Sequence, residues 1–439
     1  MLKTLVGAFK NKDIRKKILY TLMILVIVRV GSLLPIPGVD TEYFSSLLSG
    51  INTGDLSYLS AFTGGSFERM SLFALSITPY ITSSIIMQLL AIAIPKLEEM
   101  QKEGEDGRKK IAAITRYVTI ALALIESIAM AVGFGRSGLI KGYQGFSTLH
   151  YIVSIIVVVA ALTAGSAMLM WFGERITENG VGNGISIVLL INIISGMPSD
   201  FATLYSTFVA PRTIAKGVLA AAIIIAILVV MVVLVCFLQD GERRIPVQYS
   251  QKVSGRKTFG GQSTNIPLKV NTAGVMPVIF ASSLMQFPVI IAQLFGKSYE
   301  WTRYLSSSYW CRISAPKYSI GLILYIVLLI IFAYFYTSIT FNPIEVADNL
   351  KKAGGVIPGI TPGKSTSDYL NNILNYIVFV GAVGLLIIAL IPIMCTGFFN
   401  ASVSFGGTSV IIIVGVVLET LKQIESQMVN RYYKGFLSE

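Results

Sequence analysis

Ten stretches of mostly apolar residues alternate with polar segments along the chain. Apart from the shorter fifth stretch, each is close to the roughly 20 residues that a helix needs to cross about 30 Å of hydrocarbon. Apolar runs of this length that are free of charge clusters predict membrane-spanning helices. The ten predicted spans are 18–34, 70–94, 113–133, 150–172, 184–198, 214–238, 272–295, 318–341, 373–395 and 407–429.

The composition supports this interpretation. Of the 439 residues, 54% are hydrophobic and only 13% are charged, which is more apolar surface than one soluble core can bury. The first apolar run ends in "PIPG" and shows no small-x-small cleavage site, so we predict a retained span rather than a signal peptide. The sequence therefore predicts an all-α polytopic membrane protein.

The basic residues predict the orientation of the spans. Most of the 35 Lys and Arg residues lie in alternate connections, which are the two chain ends and the loops 95–117, 173–183, 239–270 and 341–372. By the positive-inside rule these connections face the cytosol, and so do both termini. The net charge of +12 is then mainly a topology signal, although a nucleic-acid surface is the alternative explanation.

Few residues in the chain are suited to catalysis. His150 is the only histidine, which leaves little for a Ser-His-Asp triad, an HExxH helix or a histidine metal site. Cys236, Cys311 and Cys395 have no paired spacing, and no phosphate-binding GxxxxGK[ST] loop is present. We expect no enzyme, no metal and no cofactor, and any ATP-driven work must come from a partner.

Charged residues inside the predicted spans are also scarce. The main ones are Arg29, Glu126 and Glu419, and they form no chain of relay groups. We favour Arg29 and Glu419 as side chains that reach toward an interface or a partner helix. The scarcity disfavours an ion-coupled solute carrier of inverted-repeat design, which nevertheless remains the alternative function. An intramembrane protease is poorly served by a single histidine.

Small polar residues recur at matching places in the second and seventh spans. Such groups are unfavourable toward lipid, so we predict that the two helices face each other or an aqueous cavity, with ordinary small-residue packing as the alternative. The matching positions also weakly suggest two five-helix halves, 1–200 and 201–439, related as an inverted repeat. The polar residues are Ser83, Ser84 and Gln88 in one span and Ser282, Ser283 and Gln286 in the other.

Two of the cytosolic loops are long, basic and rich in turn residues. They cover 239–271 and 341–372, and the second contains "PGITPG". Long ordered loops usually make contacts, although loops that only fix topology beside anionic lipid are the alternative.

At the level of whole motifs, the chain resembles the SecY family, whose members are the central subunits of the bacterial protein-conducting channel. Matching segments include "RVGSLLPIPGVD", "GGSFERMSLFALSITPYITSSIIMQLL", "KEGEDGRKKIAAITRY", "GERITENGVGNGIS", "ERRIPVQYSQK", "STNIPLKVNTAGVMPVIFASS", "FNPIEVADNLKK" and "GTSVIIIVGVV". The resemblance covers nearly the whole chain. It implies a channel in the bacterial cytoplasmic membrane that translocates unfolded, signal-bearing polypeptides and releases apolar segments sideways into the bilayer.

The resemblance also implies roles for particular residues. A short half-helix near 55–69 is expected to fold back as a plug, and it includes Ala61, Phe62, Thr63, Gly64 and Gly65. A constriction of bulky aliphatic side chains is expected at Ile81, Ile85, Ile185, Leu189, Ile279 and Ile412. Such a collar can close around a passing chain without offering it fixed hydrogen bonds. The polar residues of the second and seventh spans are expected to form a lateral gate.

The partners that the resemblance implies are the small subunits SecE and SecG, the ATPase SecA, the ribosome, signal sequences with their translocating polypeptides, and membrane lipid. The expected docking residues for SecA and the ribosome are Arg243, Arg244, Lys252, Arg256, Lys257, Lys351 and Lys352. One departure from the family stands in "PGITPG", where Thr361 replaces a commonly found arginine. The usual bidentate donor is therefore missing from that loop tip.

Overall fold

The computed structural model of the protein is predominantly helical. It describes residues 9–50, 63–134, 148–211, 214–249, 252–254, 257–259, 263–294, 300–306, 309–311, 316–399 and 407–435. Its helices are α1 (Lys12–Gly31), α2 (Thr41–Gly50), α3 (Thr78–Ala93), α4 (Pro95–Lys102), α5 (Glu105–Phe134), α6 (Thr148–Asn179), α7 (Gly184–Leu204), α8 (Ile214–Asp240), α9 (Met276–Leu294), α10 (Glu300–Leu305), α11 (Ile320–Thr340), α12 (Pro343–Lys352), α13 (Lys364–Phe399) and α14 (Gly407–Gly435).

Each of the ten predicted spans overlaps one of these helices. By length and hydropathy, six helical segments in the described part of the chain are suited to crossing a membrane, or seven if α3 and α4 count as one broken span. The axes of α3 and α4 differ by 106°, and the break lies at Ile94, whose backbone is extended. Pro95 explains the break, because a proline disfavours helical geometry in the residue before it.

The second predicted span is helical over only part of its length. Residues 63–77 form turns, Met70 and Ser76 have positive φ angles, and α3 begins at Thr78 with Pro79 in its first turn. Proline suits that position because its missing N–H is not needed there. The turns are held by the segment after α1, since Ile36 N–H donates to Met70 O and Leu72 N–H donates to Leu34 O.

The helices pack as two groups. In the first group α1 contacts α6 and α7, α3 contacts α5, and α5 contacts α6. In the second, α9 contacts α11, α11 contacts α13, and α14 contacts both α8 and α13. The groups meet where α5 packs on α9 and where α7 packs on α14. One large apolar cluster spans both groups, which places the main core between them.

The two long basic loops fold together beside the helices. Strand β1 (Glu242–Tyr249) pairs antiparallel with β4 (Ser263–Lys269) on one side and with the short β5 (Gly355–Val356) on the other. A separate hairpin joins β2 (Lys252–Ser254) to β3 (Lys257–Phe259). Along β1 the side chains alternate, so that Ile245 and Val247 are buried against α12 and α13 while their neighbours are exposed.

Candidate functional site

The six aliphatic residues expected to form a constriction come together in one apolar cluster. They arrive from four helices, α3, α7, α9 and α14, which belong to both groups. We call this set the apolar ring: Ile81, Leu189, Ile279 and Ile412 are buried, and Ile85 and Ile185 are partly buried and pack against the same cluster. The six residues thus share one cluster, and their arrangement as a constriction stays a prediction.

A helix cap at the start of α7 positions the ring residues Ile185 and Leu189. The Asn183 side-chain oxygen accepts hydrogen bonds from the backbone N–H groups of Ile185 and Ser186 at 3.2 and 3.5 Å. This is an N-terminal cap, which fixes where the helix begins. Gly184 allows the close approach of α6, because an added Cβ would collide with the carbonyl oxygen of Gly173. The glycine-rich stretch 180–184 therefore connects α6 to α7.

A cavity of about 610 Å³ opens against one side of the ring, and we call it the central cavity. Five of the six ring residues line it, all except Ile85. Its walls come from α3, α7, α8, α9, α11 and α14 and from the segment between β4 and α9, so both helix groups contribute. Part of an apolar cluster thus borders a partly polar cavity that both helix groups line.

Charged residues lie where the lining of the central cavity is exposed, and we call this part of the cavity its mouth. Glu419 and Lys422 of α14 line it, and Lys422 Nζ lies 2.8 Å from Asp240 Oδ1 at the end of α8. The side chains of this ion pair are 41% and 51% exposed, so its contribution to stability is small. Its structural effect is to join the end of α8 to the middle of α14 beside the cavity. Glu419, which we expected to reach toward an interface, lies exposed on this mouth.

Part of the predicted plug is visible near α1 and α7. The predicted plug residues Ala61 and Phe62 lie outside the described residues, as do 55–60, whereas Thr63 and Gly64 are buried. Gly64 has a φ of +61°, and a Cβ at this position would lie 2.5 Å from Ser195 Oγ. The same Cβ would lie 2.8 Å from the Asn192 carbonyl oxygen. Only glycine therefore fits this turn.

The carbonyl oxygen of Gly64 is held by two side chains. Arg29 Nη1 donates to it at 3.2 Å, and Ser195 Oγ donates at 3.4 Å. Arg29, which we expected to reach toward an interface or a partner helix, thus donates to a turn of its own chain, and the expectation itself stays a prediction. Sequence reasoning also missed Ser195 and Asn192, although polar residues within the short fifth apolar run were a visible signal.

Two of the predicted gate hydroxyls donate to carbonyl groups outside the predicted gate. Ser83 Oγ donates to Thr115 O of α5 at 2.8 Å, and Ser282 Oγ donates to carbonyls of its own helix at 2.8 and 3.0 Å. A helical hydroxyl commonly satisfies itself in this second way. Neither of these hydroxyls bridges the second and seventh spans. The remaining gate residues are Ser84, Gln88 and Ser283, which are partly buried, and Gln286, which is buried.

The predicted docking residues gather on the unit formed by the two long loops. Arg243 and Arg244 on β1 are exposed, and so are Lys351 and Lys352 at the end of α12. Because β5 follows α12 and pairs with β1, the two basic pairs belong to one folded unit, which we call the docking face. Of the other predicted residues, Lys252 and Lys257 lie on the β2–β3 hairpin, and Arg256 lies outside the described residues.

Comparisons with known proteins agree with this architecture. A sequence model of the SecY family matches residues 71–421. The protein translocase subunit SecY of Streptomyces galbus is 44% identical over 446 residues, covering 100% of both chains. A solved SecY protein, whose plug domain stabilises the closed state of the translocation channel and maintains a membrane seal, aligns with a TM-score of 0.65 at 18% identity, over 94% of this chain and 92% of that one. Sec61 in the canine ribosome–channel complex gives a TM-score of 0.59 at 17% identity, over 94% of this chain and 93% of that one.

Proposed function

Because this chain belongs to the SecY family, we propose that polypeptides cross the membrane through its apolar ring and central cavity. The protein is a protein-conducting channel subunit and a multi-pass protein of the bacterial membrane. The observation that carries the proposal is that the six aliphatic residues from both helix groups share one apolar cluster and that five of them line the cavity. A ring without hydrogen-bonding groups holds no particular substrate sequence and can dewet when empty. The comparisons do not support the ion-coupled carrier.

The proposed topology has ten spans in two inverted halves, 1–200 and 201–439, with both termini in the cytosol. The division of the helices into two packed groups supports the halves. The basic loops support the orientation, because the docking face would then lie on the cytosolic side, as would the mouth of the central cavity.

The proposed plug lies on the opposite side of the ring, where Gly64 and Gly65 would allow it to move. The solved SecY protein with a sealing plug supports this assignment by analogy of fold. The proposed lateral gate opens between the helix groups where α5 packs on α9, beside α3. An incoming apolar helix would displace this contact if it binds the open arrangement more tightly.

The proposed partners are the small subunits SecE and SecG, the ATPase SecA and the ribosome. The docking face supports binding of partners through charge complementarity, because it presents four exposed cations, Arg243, Arg244, Lys351 and Lys352. The ribosome-bound Sec61 channel supports a ribosomal partner by fold. Thr361 is exposed at the neighbouring loop tip and offers no guanidinium there.

The test is reconstitution of the chain with its small subunits in liposomes, with SecA, ATP and a signal-bearing precursor. We expect ATP-dependent protection of the precursor from added protease. An engineered disulfide between α5 and α9 should abolish protection, and reductant should restore it. Absence of protection, while a known channel works in parallel, would lead first to a Thr361→Arg variant. Continued failure of that variant would contradict the proposed function.

A further inference from the structure

Two side-chain amides in the central cavity hold buried atoms that lack a hydrogen-bond partner. They are Gln88 Oε1 on α3 and Gln239 Nε2 near the end of α8. In the described part of the chain, these are the only buried, unpartnered side-chain atoms whose residues line this cavity. An unsatisfied buried polar atom is unfavourable and requires an explanation. Here one orphan is an acceptor and the other is a donor.

Both amides lie between the apolar ring and the mouth of the cavity. Gln88 follows Ile81 and Ile85 along α3, on the side away from the plug segment. Gln239 lies beside Gly415, which comes one helical turn after Ile412 on α14. The next residue after Gln239 is Asp240, whose ion pair marks the mouth. A chain that enters through the mouth therefore meets these amides before it meets the ring.

The packing around Gln239 leaves space for its amide. A Cβ on Gly415 would lie 3.3 Å from Gln239 Nε2 and 2.6 Å from Val275 Cγ2. Glycine is less favourable than alanine inside a helix, so its presence in α14 calls for a local reason. The close approach of Gln239 and Val275 supplies that reason. The adjoining ion pair between Asp240 and α14 further fixes the end of α8.

The environment of Gln88 is similarly incomplete. Its Nε2 lies 3.5 Å from Ser84 Oγ, which is the outer limit of a hydrogen bond. Because a hydroxyl can both donate and accept, rotation of the amide would exchange the orphaned atom and leave the other end unpaired. Gln88 therefore lines the cavity with one buried amide atom that has no partner within the described part of the protein, whichever way the amide is turned.

We propose that Gln88 and Gln239 form a hydrogen-bonding site for the peptide backbone of the chain that enters the ring. Gln88 Oε1 accepts from a backbone N–H, and Gln239 Nε2 donates to a backbone carbonyl. This inference rests on the proposed function. It adds a polar binding site that the entering chain contacts before it reaches the apolar ring.

The chemistry of the two amides favours backbone over other ligands. Both groups are neutral, so they complement dipoles rather than ions. Every non-proline residue of an extended chain presents one N–H and one carbonyl, so the site accepts any sequence. A net hydrogen bond in protein is also weak, which lets the contact exchange as the chain moves.

The test compares two precursors that differ only in a short stretch where backbone esters replace amides. An ester lacks the N–H and has a weaker carbonyl acceptor. We expect the wild-type channel to translocate the ester precursor about threefold to tenfold more slowly, the effect of one lost hydrogen bond. Gln88→Leu and Gln239→Leu should each reduce this discrimination, and the double variant should abolish it.

The matched control is Gln423→Leu, because Gln423 also lines the cavity but is exposed. It should retain the discrimination of the wild type. Equal discrimination between the two precursors by the wild type and the double variant would overturn the inference. So would a loss of discrimination in the Gln423→Leu control as large as the loss in the double variant. Failure of the wild type to translocate the all-amide precursor would instead contradict the proposed function, so the two failures are distinguishable.

Discussion

Substitution of Gly64 by alanine should displace the proposed plug segment and make the resting channel leak. The backbone at Gly64 is left-handed with a φ of +61°, which costs a non-glycine residue about 1–2 kcal/mol. The added Cβ would also lie 2.8 Å from the Asn192 carbonyl oxygen, an atom of a helix backbone that has little freedom to move. The segment must therefore shift, and the bond from Arg29 to Gly64 O is lost.

Gly65→Ala is the matched control that separates strain from collision. Its φ of +79° carries a similar backbone penalty, but nothing lies within 4 Å of an added Cβ. A hydrogen bond from a charged donor contributes about 1.5–3 kcal/mol. Gly64→Ala should therefore destabilise the seated segment by about 2 kcal/mol more than Gly65→Ala, roughly a 30-fold shift toward the displaced form.

The assay is ion conductance of the resting channel, with its small subunits, in planar bilayers. We expect a clear order of leak, Gly64→Ala above Gly65→Ala above wild type. Arg29→Ala should also raise the leak, and its effect should not add to that of Gly64→Ala because both remove the same bond. Equal leak for the two glycine variants, or simple additivity with Arg29→Ala, would refute the reasoning.

Three further predictions concern the ring, a helix cap and a helix contact. Ile412→Ser should increase ion leak in the same bilayer assay, because a hydroxyl favours water in the ring. Asn342→Ala should lower the stability of α12 by about 1 kcal/mol, measured by thermal unfolding in detergent, because its side chain caps the first backbone N–H groups of that helix at 3.1 and 3.5 Å. Gly165→Ala should reduce the yield of folded protein, because the new Cβ would collide with the Leu72 carbonyl, whereas Gly196→Ala meets nothing within 4 Å and should be tolerated.

The helical framework could be predicted from hydropathy because lipid imposes long apolar runs. Each predicted span overlaps a helix, and the second is the one whose predicted start, residue 70, most precedes its helix, which begins at Thr78. That error has a local cause. Residues 70–77 are mostly apolar and so continue the span in the sequence, but Met70 and Ser76 adopt left-handed conformations that no periodicity reveals.

Side-chain pairing was less predictable than helix position. The apolar ring followed from motif resemblance, since single isoleucines in apolar runs carry no signal of their own. Ser83 and Ser282 occupy matching places in the second and seventh spans, but their hydroxyls donate to backbone carbonyls and not to each other. The bond of Arg29 to Gly64 depends on a fold that brings residues 35 positions apart together, and the sequence offered no indication of it.

The central claim is that polypeptide passes through the apolar ring, and disulfide capture of a stalled precursor tests it most directly. The channel variant would carry serine in place of Cys236, Cys311 and Cys395. A single new cysteine would then replace either Ile412 or the exposed Ile225 of α8. The precursor would carry one cysteine placed to stop at the ring. The account predicts capture at the ring position and none at Ile225. Capture at Ile225 alone, or at neither position while the precursor is stalled in the membrane, would contradict it.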